Sequence, residues 1–157
     1  ATQAQSLALH VIEAMKFEGL MAVEMFLDSE GSLLVNEVAP RTHNSGHHTI
    51  EANRTSQFTQ HLRAVAGLPL GDVSSLHNAA GMINLLGAAG SYGTPVYEGV
   101  SQALSIPGVH PHLYGKAEVK PYRKMGHVTV TGSNLDIVQE ILLQLRESIC
   151  VSGTKGK

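Results

Sequence analysis

The chain has 157 residues, 43% of them hydrophobic, and a formal charge of −2, which suits one medium or two small domains with a real core and excludes a disordered polymer. Charged residues make up only 15% against roughly 25% in ordinary soluble domains, so much of the polar chemistry falls to His, Ser, Thr and Asn. No apolar run approaches the ~18 residues of a membrane span, nothing at Ala1 resembles a signal peptide, and a single cysteine, Cys150, excludes an internal disulfide framework or a cysteine-based zinc ribbon.

Apolar residues recur at helical spacing from Ala4 through Leu7, Val11 and Met15, predicting an amphipathic helix over 3–17 that stops before Gly19. Leu20–Leu27 reads as a strand, Asp28–Gly31 as a turn and Ser32–Val38 as the hairpin partner, ended by Pro40. Residues 41–48 form a polar loop. Thr55 is the predicted cap of a second helix reaching about Ala66, with Phe58, Leu62 and Val65 on one face. Beyond Ala79 a strand at Met82–Leu86 leads into a glycine-rich loop, Gly87–Gly93. It lacks the lysine of a phosphate loop and is broken by Pro95, so it reads as an ordinary flexible loop. A short helix around Val100–Leu104, strands at His112–Tyr114 and Gly126–Thr131, and a helix capped by Ser133 or Asn134 complete the pattern. Residues 152–157 read as a frayed tail. The expectation is an α+β chain with boundaries at 1–78, 79–151 and 152–157.

Centring the hairpin turn on Ser29-Glu30 pairs Glu24 with Val35 and Ala22 with Glu37, so Glu24 and Glu37 share a face as diagonal neighbours. Two carboxylates so placed suit magnesium, which takes one or two carboxylates and completes its shell with water and phosphate. The same spacing also fits a hairpin with two ordinary surface acids. Immediately downstream, Arg41, His43, Asn44, Ser45, His47 and His48 cluster in eight residues. His43 and His47 have the spacing of helical zinc ligands but lack the glutamate and third ligand such a site needs, so an anion or substrate loop is the better reading. Arg41 brings a planar fork for carboxylate-like oxygens and His43 a group that trades protons near neutrality.

Charge is unevenly spread. Residues 1–115 carry four Lys/Arg against nine Asp/Glu, whereas 116–157 carry seven against four. Lys116, Lys120, Arg123 and Lys124 lie within nine positions. So compact a cluster fits one anionic group, or a solvated surface run; a nucleic-acid surface wants a broad basic stripe on a basic domain.

Three segments together carry a resemblance: Met21-Ala22-Val23-Glu24, then Asn36-Glu37-Val38-Ala39-Pro40-Arg41-Thr42-His43-Asn44-Ser45-Gly46-His47, and Tyr114-Gly115-Lys116 through Arg123-Lys124-Met125-Gly126-His127. They resemble the C-terminal half of the 5-(carboxyamino)imidazole ribonucleotide synthetases, ATP-grasp enzymes of purine biosynthesis, from about Leu7 to about Ile149. The resemblance implies the C-terminal part of an ATP-grasp lobe followed by a small β-rich domain. It also implies a ligase that joins bicarbonate to 5-aminoimidazole ribonucleotide through carboxyphosphate while ATP becomes ADP and phosphate. On that basis Glu24 and Glu37 would hold magnesium on the ATP phosphates with Asn36 beside them, and Arg41 and His43 would act on bicarbonate. Asn44 and Ser45 would touch substrate, and Lys116, Arg123 and Lys124 would bind the ribonucleotide 5′-phosphate, with His127 packing under that loop. The resemblance further implies that the chain is part of a longer enzyme whose N-terminal ATP-grasp lobe precedes it. Such an enzyme would be cytoplasmic, or plastid if from a plant, homo-oligomeric, and in some lineages fused to a downstream mutase domain; no nucleic-acid or membrane partner is expected. Two alternatives stay open: a formate-using purine transformylase of the same superfamily, and a non-catalytic interaction module.

Overall fold

The computed structural model describes residues 1–154. The chain is α+β and forms two compact units: Ala1–Ile50 with Arg54–Ser74, and Glu51–Asn53 with the chain from Ser75 onward.

The first unit opens with α1 (Thr2–Ala14), which ends three residues before its periodicity predicts. A Schellman end stops it: Phe17 N–H donates to Ile12 O at 3.3 Å and Lys16 N–H to Glu13 O at 3.0 Å, with Lys16 itself left-handed at φ 49°. Such a double bond satisfies the last free carbonyls of a helix, so Gly19 is not the cap. Strands β1 (Ala22–Leu27) and β2 (Leu33–Ala39) form an antiparallel hairpin. Asp28 organises the turn, its Oδ1 accepting from the N–H groups of Glu30 at 2.9 Å and Ser32 at 2.7 Å. A 3-10 turn (Asn44–Gly46) and a four-residue helix, α2 (Thr49–Ala52), follow. Next comes α3 (Gln57–Val65), capped by Ser56, whose side chain accepts from Thr59 N–H. The predicted cap Thr55 is instead buried against Gly71, where a Cβ would lie 2.3 Å from its hydroxyl.

The second unit is built on a three-stranded antiparallel sheet of order β3-β6-β5, from β3 (Ala79–Leu86), β5 (Val109–Leu113) and β6 (Lys124–Gly132). Pro111 is tolerated because β5 is an edge strand. Two strands escape the sequence pattern: β4 (Thr94–Glu98) and β7 (Cys150–Thr154), which pair with each other. Pro95 pointed to a loop, but β4 pairs on one side only, so the missing donor costs no ladder bond. Ser152–Thr154 are therefore a paired strand end rather than a frayed tail; residues 155–157 lie outside the described residues. Between these elements lie α4 (Val100–Ala103) and α5 (Leu135–Ser148). Asn134 caps α5 through its Oδ1, which accepts from Asp136 and Ile137 N–H. α5 lies on β3 and β6, where Gly81 and Gly132 leave room for Leu142 and Val138. Val128, Val130, Val138 and Leu145 are almost wholly buried there, each burial worth about 1.5–3 kcal/mol.

Candidate active site

The hairpin register differs from the one predicted, and the difference makes the site. Near the turn the pairs are Leu27 with Leu33, Phe26 with Leu34 and Met25 with Val35, one residue off the predicted register. Continued regularly, that pairing would set Glu24 against Asn36 and send Glu37 to the opposite face. A β-bulge intervenes: Asn36 is the extra residue, and Glu24 then pairs directly with Glu37, Val23 with Val38 and Ala22 with Ala39. The two carboxylates thus share a face as direct partners, not diagonal ones. Directly opposed like charges are destabilising unless something neutralises them.

Pro40 ends β2, and Arg41 N–H donates to Ala39 O at 2.8 Å to turn the chain away. The loop then folds back toward the hairpin. His43 Nε2 lies 3.1 Å from Glu24 Oε1, with the two side chains 23% and 43% exposed. A carboxylate only accepts, so Nε2 carries a proton. On the other ring edge, Nδ1 lies 2.8 Å from Ser45 Oγ and accepts from Ser45 N–H, making His43 the cap of the 3-10 turn. Arg41 is exposed, and its guanidinium donates to Thr42 O at 3.0 Å. Asn44 opens the turn, its carbonyl accepting from His47 N–H at 3.2 Å.

Gln57, which sequence reasoning passed over, supports this loop from beneath. It is 7% exposed, and its amide bonds both backbone groups of His43. The only cue was its place directly after the Ser56 cap, off the apolar stripe of α3.

The second unit carries the basic segment. Lys116 Nζ donates to Lys124 O at 2.5 Å and lies 5.6 Å from the Tyr114 ring centre, and Arg123 Nη1 donates to Glu118 O at 2.9 Å. Lys120 instead pairs with Glu118 at 3.4 Å. The glycine-rich segment is a loop, as predicted, and its first residue is pinned: Gly87 N–H donates to Arg123 O and Gly87 O accepts from Tyr122 N–H. A Cβ on Gly87 would lie 2.2 Å from Lys120 O, so only glycine lets the basic loop lie against it. Beneath, His127 is buried, stacks on His112 at 4.4 Å, and shares a hydrogen bond of 3.0 Å between its Nδ1 and the Tyr114 hydroxyl. His112 Nε2–H donates to Glu51 Oε1 at 2.7 Å. Burial lifts the Tyr114 phenol above its ordinary range.

Hard oxygens from Glu24 and Glu37 on one face match what magnesium takes from protein. Among the described residues, no group of three or more His, Cys, Asp or Glu could hold a metal, so a tightly caged ion such as structural zinc does not fit.

Facing carboxylates on a bulged hairpin, continued by this loop, belong to an ATP-grasp lobe: residues 1–58 match the ATP-grasp domain and 80–141 the phosphoribosylaminoimidazole carboxylase C-terminal domain. The chain is 48% identical over 142 residues to the chloroplastic phosphoribosylaminoimidazole carboxylase of Vigna aconitifolia, covering 89% of this chain and 26% of that protein. The crystal structure of N5-carboxyaminoimidazole ribonucleotide synthetase from Thermotoga maritima superposes with a TM-score of 0.92 at 47% identity, over 98% of this chain and 42% of that one. The Aspergillus clavatus N5-carboxyaminoimidazole synthase in complex with ADP and 5-aminoimidazole ribonucleotide gives a TM-score of 0.81 at 37% identity, over 93% and 39%. The chain belongs to the N5-carboxyaminoimidazole ribonucleotide synthetase family, and it spans well under half the length of these relatives.

Proposed function

We propose that the chain supplies the magnesium-binding and substrate-binding half of an ATP-dependent ligase. The reaction would convert 5-aminoimidazole ribonucleotide, bicarbonate and ATP to N5-carboxyaminoimidazole ribonucleotide, ADP and phosphate. The observation that carries this is the 3.1 Å bond between His43 and Glu24, which ties an anion-binding loop to one of two facing carboxylates. Glu24 and Glu37 would hold magnesium, with Asn36 beside the nucleotide; bound there, the ion would neutralise the ATP phosphates. Arg41 offers two parallel N–H donors to bicarbonate, and Asn44 and Ser45 line the same loop. In the chemical sequence, a bicarbonate oxygen takes the γ-phosphoryl group of ATP and ADP leaves. The exocyclic amine then bonds to the carboxyl carbon, phosphate departs and the nitrogen loses a proton. His43 would accept that proton at Nδ1, the nitrogen not bonded to Glu24, in exchange for the contact that Nδ1 makes with Ser45. Lys116, Arg123 and Lys124 would bind the ribonucleotide phosphate.

The relatives are longer than this chain. Leu9, Phe26, Leu27 and Leu34 are exposed at 53% or more, and we place the N-terminal part that the relatives carry against this apolar surface. The expected setting is cytoplasm or plastid, in a homo-oligomer, with a mutase domain as a further partner in fused forms.

The test joins this chain to the N-terminal part of the Thermotoga maritima relative, giving an assembled enzyme. ADP formation should require both bicarbonate and the ribonucleotide, and formate should not replace bicarbonate. Arg41→Ala or His43→Ala should lower kcat far more than ATP affinity. Activity with formate, or lost ATP affinity with normal carboxylation, would overturn the assignment.

A further inference from the structure

Gln57 bonds the loop through both ends of its amide and through its backbone N–H, and the pattern of those bonds fixes its role. A backbone N–H can only donate and a backbone carbonyl only accept. Gln57 Oε1 therefore takes the His43 N–H at 2.9 Å, and Nε2 gives one hydrogen to His43 O at 2.8 Å. The amide cannot be flipped without losing both. The second Nε2 hydrogen points at His47 Nδ1, 2.9 Å away, so that nitrogen is the acceptor and the His47 ring proton sits on Nε2. The backbone of Gln57 closes the frame: its N–H donates to Thr49 Oγ1 at 2.9 Å, and the Thr49 hydroxyl donates to Gly46 O at 2.6 Å. One residue thus ties down His43, Gly46 and His47, bracketing the 3-10 turn on both sides.

Gly46 belongs to the same device. It is not among the glycines with positive φ, so its backbone conformation does not call for glycine. A Cβ there would lie 2.5 Å from Gln57 Oε1 and 2.7 Å from its Cδ. Glycine is needed because the amide occupies the space.

We propose that Gln57 is a positioning residue for carboxylation: it fixes the backbone from which His43 projects and selects the His47 tautomer that offers an Nε2–H donor. This rests on the reading of Arg41–His47 as the bicarbonate loop. Gln57 touches neither substrate nor nucleotide in this scheme. Its effect passes through two imidazoles, whose displacement by about 1 Å is enough to cost on the order of 10²-fold in rate.

The experiment uses the assembled enzyme with Gln57→Met, Gly46→Ala, and Gly46→Ala placed in a Gln57→Ala background. Gln57→Met keeps a side chain of similar length without the amide; Gly46→Ala removes no hydrogen-bonding group and keeps the question answerable if Gln57→Met folds poorly. Two readouts are taken: ring 15N chemical shifts of His47, and kcat with KM for ATP and for bicarbonate. The expected result is a loss of the single-tautomer His47 signature in Gln57→Met, with kcat falling on the order of 10²-fold and KM for ATP within about twofold. Gly46→Ala should show the same split. In the Gln57→Ala background it should add less than about twofold, because the amide it would strike is gone and coupled neighbours are not additive. An unchanged His47 signature in Gln57→Met overturns the proposal and leaves the carboxylation reading standing. A changed signature with undiminished carboxylation overturns the reading of the loop and the positioning role with it. A defect in Gly46→Ala that persists in full in the Gln57→Ala background also overturns the proposal.

Discussion

Glu37→Gln in the assembled enzyme removes one of the two facing charges while keeping side-chain volume and strand register. It should lower turnover by about 10²–10³-fold, the usual cost of losing one preorganised electrostatic partner, with an unchanged circular dichroism spectrum. Glu24→Gln should do comparable damage and also weaken the seat of His43, whose Nε2 it holds. Normal turnover of both variants at limiting magnesium would show that the hairpin does not bind the ion. Arg123→Ala separates the two substrates. Charge-assisted bonds to phosphate are worth about 1.5–3 kcal/mol, so KM for the ribonucleotide should rise at least ~10-fold with KM for ATP unchanged. If Arg123 and its neighbours were only a solvated run, steady-state kinetics would show a weak salt-dependent drift in both. The candidate site residues were legible because charged types are scarce in this chain and they sit in short runs. Gln57 was not, since a glutamine becomes informative only when the groups around its amide are known.

At the level of elements, helices α1 and α5 and the hairpin followed from periodicity and turn residues, and α5 even from its Asn134 cap. The bulge did not. A regular ladder is the default when reading alternation, and Asn36 is an ordinary polar residue on an exposed strand; the stray count shows only once both strands are aligned. β4 and β7 were missed because each is five residues long, contains Pro95 or Gly153, and is defined by a partner more than fifty positions away. Their environment yields a pH prediction through Tyr97 on β4, whose hydroxyl donates to Met125 O at 3.1 Å. Burial raises its phenol, and that of Tyr114, above the ordinary 10.0. A group with a raised folded value favours the fold fully below its unfolded value and less as pH climbs through the folded one. Thermal stability should therefore decline as pH passes 10.0, and Tyr97→Phe should make that decline shallower. An identical slope in the variant would remove burial of this phenol as its cause.

Across the whole molecule, burial is lopsided. Every buried hydrophobic side chain among the described residues lies in the second unit, while α1 has none. Deuterium exchange of the isolated 157-residue chain should therefore find the slowest amides in β3, β6 and α5, with α1 and the hairpin exchanging through local opening. Equal protection across both units would contradict this. The sequence pattern starts the second unit near Ala79, whereas the compact units divide at Ser74 and Ser75. The return of Glu51–Asn53 to the second unit did not show in the sequence, because three residues carry no periodicity.

The bulge at Asn36 has a consequence for how this hairpin tolerates changes of length. Extra residues between Asp28 and Ser32 only enlarge the turn and leave the ladder in place. Within the strands, a lone insertion or deletion reverses inward and outward facing for everything on its far side, with two exceptions. Deleting Asn36, or inserting a residue between Glu24 and Met25 to pair with it, heals the ladder and still leaves Glu24 opposite Glu37. Homologous hairpins should therefore vary in length at the turn and at this one step, and resist it elsewhere.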